Sequence, residues 1–239
     1  FYDVCRHEVD GSHNGCRHRS LKRIRRRKTP VCIGKIAKAQ SHFVTNLPMI
    51  VYLETAENFC RDVDDNFIEE RIHESFRMRL GRSVGDSEKR SWRNSMKYMR
   101  GVLSDTAIPS DSGVAIEFSI PQTSKRIDFI ITGHNAEDHR SAVIVELKQW
   151  DDVDATDKNG IVSAFINGGK RETPHPSYQA WSYAAMLQDF NEAVRETPIY
   201  LKPCAYLHNC PDHSEIKGDF YKDHLNLAPS FTKGETQAL

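Results

Sequence analysis

Lys125–Thr132 reads KRIDFIIT, Ala142–Trp150 reads AVIVELKQW and His175–Leu187 reads HPSYQAWSYAAML. The first two are β-branched apolar runs interrupted by isolated charges, and the third has the apolar spacing of a helix. Strand side chains alternate, so Glu146 and Lys148 share one face with Ile144, while Val143, Val145 and Leu147 take the other. If the first run pairs with the second, Asp128 joins Glu146 and Lys148 at one sheet edge.

Working outward, VAIEFSI (114–120) and SAVIVELK (141–148) flank that first run, separated from it by the turn-like PQTS and GHNAEDHR. The first two strands are close enough to form a hairpin. GIVSAFINGGKRETP (160–174) is a glycine-containing stretch with no assigned element. A helix is expected from about Ser177 to Val194, and TPIYLKPCAYLH (197–208) reads as a last strand.

Upstream, about 49–105 reads as helical. In DNFIEERIHESFRMRLG (65–81), Phe67, Ile68, Ile72, Phe76 and Leu80 recur at spacings of three and four and line one face, with Gly81 as the stop. Asp86 or Ser87 can cap the next helix, in which Trp92, Met96, Tyr98 and Met99 supply apolar contacts. The order is helix, three strands, helix, strand: an α/β fold with a mixed central sheet flanked by helices.

Residues 1–48 differ from the rest. They carry 11 Lys/Arg against 3 Asp/Glu, whereas residues 49–239 carry 22 against 30, so the net charge of zero hides a basic start on an acidic chain. Their charged, aperiodic sequence reads as a solvated, disordered extension, and Met49 opens MIVYLETAENFCRDV as a domain would begin, leaving 1–48 as a possible leader. Cys5, His7, Cys16 and His18 have the chemistry of zinc ligands but the spacing of no common finger. The basic run Lys22–Lys28 can hold phosphate.

No apolar run approaches the roughly 18–20 residues that cross a membrane, and no secretory h-region opens the chain. The six cysteines form no C-x-x-C pair, which points to a reducing, cytoplasmic setting.

Hard divalent ions take carboxylate oxygens, so Asp128 and Glu146 are candidate ligands for Mg²⁺ or Mn²⁺, with the Leu147 carbonyl as a further oxygen. Lys148 would orient or acidify an attacking water and offset charge on a phosphate. An acid followed by Glu-x-Lys is also a common surface pattern. Here, though, the charges enter runs expected to be buried, where polar groups need partners. His175, Gln179 and Tyr183 fall at i, i+4 and i+8, on one helix face if the helix includes all three. Gln179 can bridge a bound water or phosphate oxygen, and Tyr183 can stack on or donate to nucleic acid.

Glu69, Glu70 and Glu74 offer a further carboxylate, with solvated helix surface the favoured reading of each one singly, and Lys125, Arg126, Lys170 and Arg171 are basic flanks. GGKRE lacks the Ser/Thr that a nucleotide phosphate loop requires after its lysine. His208 and Cys204 suit core or edge positions.

With Asp128, Glu146-Leu147-Lys148 and Gln179-x-x-x-Tyr183 in this order, the chain resembles the PD-(D/E)XK nuclease superfamily, and its Gln-x-x-x-Tyr element is similar to the RecB-type branch. Over 49–239 it resembles more closely the N-terminal region of bacterial Schlafen-like DNA/RNA helicases, through MIVYLETAENFCRDV, RSWRNSMKYM, IPQTSKRIDFIITG, VIVELKQW, HPSYQAWSYAA and PCAYLHN. The resemblance implies a restriction-endonuclease-like core, metal ligands at Asp128 and Glu146, a catalytic Lys148 and auxiliary Gln179 and Tyr183. It also implies a DNA or RNA substrate and a P-loop ATPase following this segment. Ile127 stands where the superfamily name has proline.

Overall fold

A computed structural model describes residues 50–239 apart from Arg82, Pro121, Gln122, Asn167 and Asp212. The expectations for 1–48, including the Cys/His pattern and the basic run, lie outside the described residues.

The chain enters as a short strand, β1 (Tyr52–Thr55), and continues through α1 (Ala56–Asp64), α2 (Ile68–Leu80) and α3 (Asp86–Val102). Thr55 caps α1 by accepting the Asn58 N–H at 3.2 Å. Gly81 closes α2 in the left-handed region at φ 64°, where a side chain would be strained. Two details depart from the sequence expectation. Tyr52–Thr55 is a strand within the segment read as helical, and Phe67 precedes α2 and is 56% exposed instead of facing the core. The cap of α3 is Gly85, with Asp86 the first helical residue.

β2 (Gly113–Ser119), β3 (Arg126–His134) and β4 (Arg140–Lys148) follow as antiparallel hairpins. The segment between β4 and the next long helix forms a separate antiparallel sheet of β5 (Val153–Ala155), β6 (Ile161–Ile166) and β7 (Gly169–Pro174). The stretch without an assigned element is therefore a hairpin. α4 (Pro176–Phe190) stops short of Val194, which lies in a separate turn, α5 (Glu192–Glu196). β8 (Tyr200–Leu207) then lies parallel to β4. It is not the last strand: α6 (Lys222–Leu227) leads to β9 (Ser230–Thr232), which pairs parallel to it.

The main sheet has the order β1-β2-β3-β4-β8-β9, mixed and flanked by helices as the pattern predicted. One face packs on α1–α3 through Val114, Ile116, Phe129, Val145 and Tyr206. The other packs on α4 through Ile127, Ile130, Ile144, Tyr183 and Leu187. The small sheet lays Val162 and Ala164 against Leu207, Ile216 and Tyr221 in a third cluster.

One irregularity positions the site. Glu117 adopts φ 54°, an uncommon conformation for a residue with a side chain. Before it, Val114 and Ile116 face the helices α1–α3; beyond it, Phe118 and Ile120 face α4. In β3, Phe129 and Ile131 face α1–α3 while Ile127 faces α4. Both strands roll over where residues 117 and 128 oppose each other, between the pairs Ile116↔Phe129 and Phe118↔Ile127.

Candidate active site

The β3–β4 ladder runs from His134↔Arg140 to Phe129↔Val145 and stops, leaving Asp128 and Glu146 as the next opposed positions. Asp128 Oδ2 accepts the Leu147 N–H at 2.9 Å, so a carboxylate occupies the place of a strand neighbour. In extended backbone the N–H and C=O of one residue face the same side. The Leu147 carbonyl therefore faces the same gap. The site is a parting between two central strands, not a sheet edge.

β4 keeps its pairing with β8 through Lys148↔Leu207, which holds Glu146 and Lys148 regular and on the α4 face. Lys148 Nζ lies 2.6 Å from Glu146 Oε1 and 3.1 Å from Gln179 Oε1. Gln179 Nε2 donates to Glu146 Oε1 at 2.6 Å and to the Tyr183 hydroxyl at 2.8 Å. An ammonium only donates and a carboxylate only accepts, so this arrangement fixes which way the Gln179 amide points. Glu146, Lys148, Gln179 and Tyr183 are thus joined by hydrogen bonds, with Asp128 bonded to the intervening Leu147.

Tyr183 does so from a buried position, 6% exposed, where burial and then the Glu146 carboxylate push its hydroxyl up to about 12. It supports Gln179 and offers no face for stacking.

Glu146 is 2% exposed, and its Oε2 has no hydrogen-bond partner. Burial, reinforced by Asp128 and opposed by Lys148, pushes its carboxyl up to about 8. Burial also raises Asp128, against the pull of Lys148, the Leu147 N–H and Arg126. Glu117 is raised by burial and by Asp128. Three acids, Glu117 and Glu146 buried and Asp128 partly so, therefore sit together with two cations, Lys148 and the part-exposed Arg126, and one further positive charge would relieve them.

A divalent cation fits this donor set. The Asp128 carboxylate and the Leu147 carbonyl are hard oxygens at the gap, and the orphaned oxygen of Glu146, the opposed residue, is a third close by. Among the described residues, no three His, Cys, Asp or Glu side chains converge to hold an ion by themselves. Asp128, Glu146 and Leu147 would leave the remaining positions to water and phosphate, as Mg²⁺ commonly does.

Glu117 is the residue that the sequence reading missed. Its Oε1 accepts the Trp92 indole N–H at 3.1 Å, and its Oε2 lies 2.7 Å from Arg126 Nη1, close but without hydrogen-bond alignment. The signal was present, a lone acid in the apolar run VAIEFSI. Trp92, read as core alone, also holds this acid. Gln149 was missed as well: it bonds Ser91 Oγ and donates to the Ser91 carbonyl at 2.8 Å and Ser95 Oγ at 3.0 Å, tying the end of β4 to α3.

Other candidates fall elsewhere. His175 precedes α4 as its cap, accepting the Ser177 N–H at Nδ1, and its Nε2 lies 3.0 Å from the Ile216 carbonyl, away from Gln179. Glu69 is buried in a bidentate pair with Arg93, and Glu70 and Glu74 are exposed. Arg126 reaches the site. Lys125 and Arg171 are exposed, and Lys170 pairs with Asp154 on the small sheet. His208 Nε2 contacts Ser95 Oγ at 3.0 Å and its ring stacks on Tyr98, while Cys204 is buried in the α1–α3 core.

A cleft of about 500 Å³ opens onto Asp128, Leu147 and Lys148, with Trp92, Glu117, Trp150 and Phe165 also in its wall, while Glu146 and Gln179 lie behind it. No protein-family model, no curated protein and no solved structure matches the chain.

Proposed function

We propose that this chain is a Mg²⁺- or Mn²⁺-dependent nuclease that hydrolyses phosphodiester bonds in DNA or RNA. The observation that carries the proposal is the meeting of Asp128, a half-unsatisfied buried Glu146 and Lys148 where β3 and β4 part, beside an open cleft. The bound ion would supply charge neutralisation at the phosphate and a more acidic water. Lys148 is held between Glu146 and Gln179 with its ammonium at the gap, placed to orient a water and to offset charge on the phosphate. Gln179 fixes the lysine and Glu146 relative to each other, and Tyr183 fixes Gln179.

The sequence resemblance extends the proposal to an N-terminal module of a cytoplasmic DNA/RNA helicase, with a P-loop ATPase as its C-terminal partner. Among the described residues, no helix is long and apolar enough to cross a membrane.

The full chain should cleave DNA or RNA oligonucleotides with Mg²⁺ or Mn²⁺ and stop in EDTA. Lys148→Ala should remove cleavage while the circular dichroism spectrum stays unchanged. Cleavage that survives this change places the chemistry elsewhere.

One observation favours a non-catalytic, nucleic-acid-binding module steering the ATPase: Glu146 Oε1 is already engaged by both Lys148 and Gln179. Calorimetric titration with Mn²⁺ separates the two, since an inactive site gives no binding heat that Asp128→Asn removes.

A further inference from the structure

The small sheet is placed where it can select a substrate. It packs on the end of β8 through Val162 and Ala164, with Ile166 and Trp150 partly buried alongside. Alternation then turns Phe165 outward, opposite Lys170, where it is 63% exposed and lies in the wall of the cleft. Trp150, in the same wall, has the Lys148 ammonium 5.2 Å from its ring centroid. One aromatic side chain thus stands beside the amine proposed to act on the phosphate, and a second shares its cleft.

We infer that Phe165 and Trp150 form a stacking platform for unpaired bases, so that the cleft takes single-stranded nucleic acid. This inference rests on the proposed nuclease site. In a duplex, base faces are covered by their neighbours, and only an unstacked base can lie against an aromatic ring next to its own phosphate. A cleft of about 500 Å³ has room for a nucleotide or two. Stacking is tolerant of sequence because every base has a π-face, so the platform selects strandedness, not sequence. Phe165 is the selecting residue; Trp150 also contributes to the core beneath.

The test is binding, measured without cleavage. Fluorescence anisotropy in EDTA would compare a DNA single strand, an RNA single strand of the same sequence and the corresponding duplex, all on the full chain. Wild type should bind single strands more tightly than duplex. Phe165→Ala should weaken single-strand binding roughly 5- to 150-fold, the range for one stacked base, and change duplex binding little. Phe165→Trp should restore it. The two single-strand arms tell whether DNA or RNA is preferred.

Equal loss for single strands and duplex, no loss in Phe165→Ala, or absence of binding to every oligonucleotide overturns the platform. Because the assay needs no metal and no turnover, a platform can stand where cleavage fails, and cleavage can stand where the platform fails.

Discussion

Glu69 and Glu146 are both buried glutamates, 4% and 2% exposed, yet the molecule treats them differently. Glu69, on α2, meets the guanidinium of Arg93 from α3 with both oxygens. Nearby Asp62 is answered in the same way, by the Tyr52 hydroxyl at 2.8 Å and Arg71 at 3.2 Å. Glu146 has one oxygen crowded by Lys148 and Gln179 and the other bare. A planar fork engages both oxygens of a carboxylate and answers its charge. A single ammonium and an amide on one oxygen leave the second able to take a cation. The helical layer uses buried acids to fasten helices together, and the strand parting holds one in reserve.

The strongest way to break this comparison is Glu146→Gln. On the proposed function it should reduce metal-dependent cleavage by roughly 100-fold or more, because the proposed ion ligand and the anchor of Lys148 are both altered. It should not reduce stability in EDTA, because a neutral amide avoids the desolvation that raises this acid. The pH dependence gives the sign. Glu146 titrates near 4.5 when unfolded and about 8 when folded, with Asp128, Glu117 and Lys148 around it. Between those values the folded state binds more protons, so stability falls as pH rises.

Two buried histidines, His175 and His208, are lowered to about 4 by burial and make stability rise with pH up to about 6.5, so the Glu146 contribution stands clear above that: thermal melts of the metal-free wild type should decline from about pH 6.5 to pH 8, at up to ~1.4 kcal/mol per pH unit. Glu146→Gln should flatten that decline, and Mg²⁺ should offset it in wild type. A wild-type curve that rises over this window contradicts the picture of an unanswered acid.

Arg93→Ala sharpens the other half. It leaves Glu69 buried without its fork and should lower stability by about 1–3 kcal/mol, moderated because Arg93 is itself half exposed. Cleavage per folded molecule and Mn²⁺ affinity should stay at wild-type values. A loss of Mn²⁺ binding would mean that Glu69 belongs to the site after all.

Why the sequence singled out one acid and misplaced the other is a matter of what surrounds them. Asp128 and Glu146 interrupt apolar strand runs, a pattern that marks a buried charge before any coordinates. Glu117 interrupts one too, but its approach to Asp128 depends on a left-handed φ that nothing in VAIEFSI announces. The third carboxylate was sought on α2, where helical periodicity says which residues share a face but not which acid has an arginine waiting on the next helix. His175 illustrates a boundary error. The i, i+4 rule holds only inside a helix, and Pro176 at the first helical position leaves His175 outside, where its ring turns toward Ile216. The strands β1, β9 and the small sheet are three to six residues long and set by what they pack against, so short-range pattern could not single them out.

Gln149 joins the two regions, and its removal is the finest test. It follows Lys148 at the end of β4 and bonds Ser91 and Ser95 of α3, the helix that also carries Arg93 and the Trp92 that holds Glu117. Those bonds are partly buried, and each contributes about 0.5–1.5 kcal/mol net. Gln149→Leu keeps the volume and removes the two bonds its amide hydrogens can make, so stability should drop by about 1–3 kcal/mol. If the anchor only fastens the helix, kcat per folded molecule is unchanged. If it also holds Lys148 in place, kcat falls a few-fold with KM unmoved, because the role proposed for the lysine is on the reacting phosphate and not in binding the substrate. A change in KM alone would assign Gln149 to the substrate cleft and detach it from the Glu146 region.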